Sequence, residues 1–254
     1  MLSKNKIRFI QSLSRKKVRD QEQVFLVEGN KMVLEATSSD FNVKLIAGTT
    51  SFLSENKITN SVAEEIIECG QDELNKASLL KNPQQALAIV EMRENFFQLE
   101  TIQNLFSLAL DEIQDPGNLG TIIRIADWFG IENILCSKTT ADCYNPKVIQ
   151  ASMGAIFRVK IHYLDLADAL NEANKGKHPI YGTFLEGNNI YESGLSTNGI
   201  LVMGNEGHGI SDEIARLIVN KIHIPSFQSS NSGSESLNVA TATAICCSEF
   251  RRRI

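Results

Sequence analysis

Three stretches of the chain combine residue types able to hold a charged substrate. In the first, Asp115-Pro116-Gly117-Asn118-Leu119-Gly120 runs into a helical pattern, with Arg124 four residues beyond Gly120. The free N–H groups at a helix start can bind an anion. As plain structure, the same residues make a Pro-Gly turn and a surface arginine. The second is Gly204-Asn205-Glu206-Gly207-His208-Gly209, directly after the apolar Ile200–Met203. Three glycines there imply either backbone approaching a partner closely or a tortuous turn. Two nucleotide readings fail on this stretch. Ile210 stands where a Walker A loop needs its lysine, and the glycine order is not that of a dinucleotide fingerprint. The third stretch starts at Ile224-Pro225 and passes through a polar run with Ser226, Ser229, Ser230, Ser232 and Ser234. It ends at Ser236-Leu237-Asn238-Val239. By composition it is a flexible linker, with Ser236 as N-cap of a closing helix. No G-x-S-x-G elbow supports a serine hydrolase, and His162, His178, His208 and His223 form no metal-binding H-x-x-x-H pair.

The surrounding pattern implies how these stretches are carried. From Phe106 onward, short apolar runs alternate with helical ones: strands at Phe106–Leu110, Asn133–Cys136, Pro179–Phe184, Ile200–Met203 and Ile222–Ile224. Helices are expected at Thr121–Phe129, Ser211–Val219 and Leu237–Phe250, and Asp115–Asn118 is expected as a turn. This is an α/β pattern, predicting a mostly parallel sheet with helices on both faces. In such sheets ligands bind beyond the carboxyl ends of the strands, where all three stretches fall. Residues 1–95 read as a smaller α/β unit, with strands at Val24–Val27 and Val43–Ala47 and a helix at Asn30–Ala36. Residues 96–104 are the linker and 105–254 the second domain.

Composition bounds the remaining choices. Hydrophobic residues are 43% and charged residues 22% of 254, values of a globular chain with a sizeable core. No apolar run approaches the ~20 residues of a membrane span. Five cysteines without metal-ligand spacing favour free thiols in a reducing cytoplasm, with no metal and no membrane partner. The net charge of −5 argues against a polyanion partner, but its distribution does not. Lys4, Lys6, Arg8, Arg15, Lys16, Lys17 and Arg19 face only Asp20 in the first twenty residues, a local +6 that leaves −11 for the remainder. Such an arm can seat a phosphate backbone. It can equally be a solvated helix with Ile7, Ile10 and Leu13 turned inward, or a transit segment.

Taken together, the three stretches resemble the signature of the SpoU/TrmH-type RNA 2′-O-ribose methyltransferases of the SPOUT superfamily. The matching residues are Asp115–Gly120 with Arg124, Val202–Gly209, and Ile224-Pro225 with Ser236–Ala240. Asn145-Pro146-Lys147 and Ala151–Arg158 are similar to the same family, so the resemblance spans 106–250. Residues 1–95, above all Arg19 and Phe25–Gly29, look like the substrate-binding domain placed before it, whose fold is similar to RNA-binding ribosomal proteins.

The resemblance implies a homodimer that uses S-adenosyl-L-methionine on RNA, most of all ribosomal RNA, with a deep trefoil knot at its carboxyl end. It implies that backbone at Gly204, Ile224 and Leu237 holds the cofactor, together with Leu201, Met203 and Asn205. Asn118, Arg124, Glu206, Ser236 and Asn238 are the implied catalytic set, with Arg124 reaching the target from the partner subunit. The motif set offers no histidine as base, and a guanidinium is too weakly acidic for that task. Arg124 is therefore expected to grip phosphate and stabilise the developing alkoxide, while Ser236 and Asn238 orient the hydroxyl. One departure stands out: the stretch from Ile224 to Leu237 is about four residues longer than the family's compact form, as a surface insertion would be. A non-catalytic RNA-binding or ribosome-assembly protein is the competing expectation, and a base methyltransferase a third.

Overall fold

The computed structural model describes residues 1–227 and 236–252. The expectations for Ser229–Ser234 and for Arg253 fall outside the described residues. The chain divides into two compact units. One comprises Met1–Glu94 with Asp142–Arg158, the other Asn95–Ala141 with Val159–Ile254. The sequence pattern suggested one continuous cut near residue 95 and gave no sign that a later segment joins the first unit.

In the first unit, Ser3 caps α1 (Lys4–Ser12) by accepting the Lys6 N–H, and α2 (Lys16–Glu22) follows. The apolar positions of α1 recur at helical spacing, so Ile10 is buried along with Leu13 just beyond it, while Lys4 and Arg8 face water. Next come β1 (Val24–Glu28), α3 (Asn30–Thr37), β2 (Val43–Gly48), α4 (Thr50–Glu55), β3 (Glu65–Glu68), α5 (Gln71–Ala77) and β4 (Ala86–Glu91). The sheet order is β1-β4-β2-β3; β4 runs antiparallel to both neighbours, and β2 and β3 are parallel. Leu26, Leu45, Leu74, Leu87 and Ile89 share one core cluster. Phe25, on the opposite face of β1, stacks against Tyr144 at 4.6 Å and meets Phe157, both from the later segment.

The second unit holds β5 (Phe106–Leu110), α6 (Pro116–Trp128) and β6 (Asn133–Ser137). The helix Pro146–Ser152, α7, belongs to the first unit. Then follow β7 (Lys160–Leu164), α8 (Leu166–Lys175), β8 (Ile180–Asn189), β9 (Gly199–Met203), α9 (Asp212–Ala215), β10 (Asn220–His223) and α10 (Val239–Arg252). The sheet order is β10-β8-β9-β5-β6-β7, and every pairing is parallel. Buried on both faces, β5 and β9 are apolar almost throughout, as parallel strands must be. Ala109, Ile200 and Val202 pack with Leu166, Leu170 and Ile214 on one side, and Phe106 stacks on Phe250 of α10 at 4.4 Å on the other.

Three local expectations need correction. Asp115–Asn118 is the first turn of α6, because Asp115 Oδ1 accepts the Asn118 N–H at 2.8 Å and Pro116 suits the first helical position. The helix expected over Ser211–Val219 stops at Ala215, where Leu217 and Ile218 donate to the carbonyls three residues back and tighten the turn. The start of α10 is capped by Asn238, not Ser236: Asn238 Oδ1 accepts the N–H groups of Ala240 (3.0 Å) and Thr241 (3.2 Å). None of the five cysteines forms a disulfide, and all are buried. No described helix is long and apolar enough to cross a membrane.

Candidate active site

From β5 the chain continues outward to β6 and β7, then crosses back to β8 and β9 on the other side. The order therefore reverses between β5 and β9, whose final residues Leu110 and Met203 are register partners. Loops leaving the carboxyl ends at such a point flank a crevice, the usual ligand position in an open α/β sheet. The first two stretches are those loops.

Each loop is tied down by its own residues. Asp111, 3% exposed, donates its N–H to Met203 O at 2.9 Å and accepts the Ser211 N–H at 2.8 Å. Gly204 leaves no room for a side chain, since a Cβ there would lie 2.2 Å from Gly209 C and Ile210 N. Asn205 and Gly209 exchange backbone hydrogen bonds of 2.9 and 3.0 Å. The Asn205 amide spans the gap: Nδ2 donates to Glu112 O at 2.8 Å, and Oδ1 accepts the Gly207 N–H at 2.8 Å.

A chain of side chains joins all three stretches. Asn238 Nδ2 donates to Asn118 Oδ1 at 2.9 Å, and Asn118 Nδ2 donates to Glu206 Oε1 at 3.0 Å. Glu206 also accepts the Asp115 N–H at 3.3 Å and the Gln114 N–H at 3.4 Å. The structure thus brings Asn118, Glu206 and Asn238 together, across 120 and 88 residues of sequence. Their polar atoms are spent on one another and on backbone, so their geometry is that of a clamp.

Arg124 stands apart. It lies six residues beyond Asn118 on α6, about 120° around the helix axis at ~100° per residue, and is exposed. Among the described residues it makes no hydrogen bond or ion pair, and neither does exposed Ser236. Leu201 and Met203 are 0% and 1% exposed, buried within the sheet. Ile224 is half-buried and Leu237 is 51% exposed. Among the described residues no cluster of three or more His, Cys, Asp or Glu could hold a metal ion.

The amino-terminal arm needs one correction. Arg19, counted among the RNA-contacting groups, is 1% exposed; it donates to Leu13 O (2.7 Å) and Ser14 O (3.0 Å) and pairs with Asp142 at 2.5 Å. A guanidinium removed from water needs such partners, and they fill its donors. Lys6 pairs with Glu65, and Lys16 with Asp20 at 2.8 Å. Lys4, Arg8, Arg15 and Lys17 remain exposed, without ion pairs among the described residues. At the other end Arg251 donates to Phe129 O (2.8 Å) and Gly130 O (2.9 Å), binding carbonyls at the end of α6.

The sequence reading missed a pair at the crevice. His208 Nε2 faces Glu112 Oε2 at 3.2 Å, and Glu112 adopts φ 59°, the left-handed region. The second stretch does, after all, supply an imidazole. Its signal was present in Gly204–Gly209; its partner, 96 residues earlier, was not legible.

Comparisons with known proteins agree with this architecture. Residues 105–248 match the SpoU rRNA Methylase family and residues 4–88 the MRM3-like substrate binding domain. The chain is 31% identical over 250 residues to the 23S rRNA (guanosine(2553)-2′-O)-methyltransferase RlmP of Bacillus subtilis, covering 97% of this chain and 96% of that one. A TrmH-family structure from Porphyromonas gingivalis is 40% identical with a TM-score of 0.89, covering 100% of both chains. The AdoMet-bound rRNA methyltransferase of Sinorhizobium meliloti is 28% identical with a TM-score of 0.86, covering 100% of this chain and 97% of that one. With its three motif stretches meeting at the reversal point of a parallel sheet, the chain belongs to the SpoU rRNA Methylase family.

Proposed function

We propose that the protein transfers the methyl group of S-adenosyl-L-methionine to a ribose 2′-hydroxyl of 23S-type ribosomal RNA. The observation that carries this is the Asn238–Asn118–Glu206 chain, which closes the three motif stretches around the crevice between β5 and β9. The same motif set, and relatives named as methyltransferases, favour it over a non-catalytic role.

The residues present fit the cofactor. Leu237 leaves half its surface uncovered and Ile224 is half-buried, apolar area that a purine would cover. His223, next to Ile224, has a buried Nδ1 without a partner among the described residues. Backbone at Leu201, Met203, Gly204, Asn205, Ile224 and Leu237 would hold the nucleoside. The bound group supplies an electrophilic sulfonium methyl. Arg124, uncommitted and turned away from Asn118, reaches the site of a second subunit in a homodimer, grips the phosphate beside the target and stabilises the developing alkoxide. Ser236 orients the hydroxyl. Asn118, Glu206 and Asn238 position the loops, a revision of Asn238's expected contact with substrate. Lys4, Arg8, Arg15 and Lys17 seat the RNA backbone on the amino-terminal domain, residues 1–95, joined by 96–104 to the methyltransferase domain, residues 105–254. The same reading includes a deep trefoil knot in that domain, as the motif resemblance implies, and a cytoplasmic location, for which the five free thiols are the argument.

The test is methyl transfer from labelled S-adenosyl-L-methionine to ribosomal RNA and, separately, to tRNA, each lacking the modification, followed by digestion to nucleosides. Label in a 2′-O-methyl nucleoside from ribosomal RNA is expected. Label in a base, or in tRNA alone, overturns the assignment. Arg124→Lys retaining near-full turnover would remove Arg124 from its role.

A further inference from the structure

Methyl transfer to a hydroxyl must dispose of a proton, and the clamp residues offer no place for it. Glu206 already accepts three N–H groups, Asp115 caps α6, and Asp111 is buried against Ser211. Arg124 has no lone pair to offer. Of the four histidines, His162 and His178 are 4% and 7% exposed, and the Nδ1 of half-buried His223 is enclosed. His208 alone combines an exposed ring, 55% accessible, with a carboxylate partner.

Its surroundings are built to hold it. The Asn205–Gly209 pairing and the contact of Gly204 with Gly209 fix the turn that carries His208. Across the crevice, Glu112 holds the left-handed conformation, which costs a non-glycine residue about 1 kcal/mol or more. Its N–H donates to Ser137 Oγ (2.9 Å), its carbonyl accepts from Asn205 Nδ2 (2.8 Å), and Oε1 accepts from Thr139 (3.3 Å). Oε2 is left for His208. Asp111 and Glu206 are engaged with N–H donors of Ser211 and Asn118.

Resting on the methyl-transfer reading above, we propose that His208, oriented by Glu112, takes the proton from the ribose 2′-hydroxyl. The carboxylate favours the tautomer with hydrogen on Nε2, leaving the Nδ1 lone pair as acceptor. As the O–H bond breaks, its proton passes to Nδ1. The oxygen pair forms the O–CH3 bond, and the C–S pair returns to sulfur, leaving a neutral thioether. The imidazolium is neutralised by Glu112 until it releases the proton to water.

The test measures single-turnover transfer to ribosomal RNA between pH 5.5 and 9, with cofactor binding by calorimetry as a check on folding. Wild type is expected to show an acid limb of unit slope, the sign of a single essential base. His208→Gln should bind cofactor within about threefold of wild type, lose at least ~100-fold in rate and lose the acid limb. Glu112→Gln should slow transfer at least ~10-fold, since the ring loses the carboxylate that orients it. Imidazole added to His208→Ala should restore rate. His208→Gln within threefold of wild type, or a slow variant with an unchanged limb and no rescue, overturns the proposal alone. Wild type that transfers no methyl overturns it together with the reading on which it rests.

Discussion

Asn238 performs two separable tasks, and substitution can divide them. Its Oδ1 caps α10 through Ala240 and Thr241, while Nδ2 reaches Asn118. Asn238→Ala removes both and should lower stability by about 1–2 kcal/mol in thermal denaturation, the range for lost N-caps. Asn238→Ser keeps a capping oxygen and loses the donor to Asn118. It should melt within a few tenths of a kcal/mol of wild type, a margin typical of exchanging one good N-cap for another, yet transfer methyl more slowly. If the serine variant transfers at the wild-type rate, the clamp has no bearing on the reaction. The identities of Asn118, Glu206 and Asn238 were legible in the sequence as motif members. That they satisfy one another was not, because a hydrogen bond across 88 or 120 residues leaves no local spacing to read.

At the scale of the element, α1 and α2 look like a single basic arm in sequence and behave as two kinds of surface in three dimensions. Lys17 is exposed and Arg19, two positions on, is buried against Asp142. Arg19→Leu strands that carboxylate and two backbone carbonyls, and should cost about 3–5 kcal/mol in urea denaturation. Lys17→Ala should change stability by less than about 0.5 kcal/mol. It should instead weaken RNA binding and reduce the salt slope by roughly 0.7–0.9, the contribution of one phosphate contact. Equal stability losses in the two variants would contradict the division. Five of the six strands of the parallel sheet were legible from apolar runs, the composition of buried parallel strands, whereas β7, an edge strand with exposed Lys160 and Tyr163, was not. The true starts of α6 and α10 were obscured because Pro-Gly reads as a turn and Ser236 as a cap, and only the hydrogen bonds of Asp115 and Asn238 decide between neighbouring candidates.

Across the whole molecule, burial sets the response to acid. His162 bonds to Asn133 Oδ1 at 3.0 Å, and burial holds both its imidazole and that of His178 below the ordinary value. As pH falls through about 6.5 the unfolded chain takes up protons that these folded histidines refuse, so stability should decline from there downward. Burial pushes the Glu28 carboxyl upward and acts in the opposite sense, which makes the single variant the cleaner comparison. Urea denaturation from pH 7.5 to 5.5 should give a flatter profile for His162→Gln than for wild type; coincident slopes would remove His162 as a cause. The buried Arg19 carries a last consequence, one of time. Its counter-ion lies 123 residues downstream. At a synthesis rate of ~5–20 residues per second, the first helices emerge roughly 6–25 s before Asp142 is made. Until then the Arg19 guanidinium stays in water, so its burial waits for Asp142, and a fragment that ends before Asp142 should be less stable than the same residues within the whole chain.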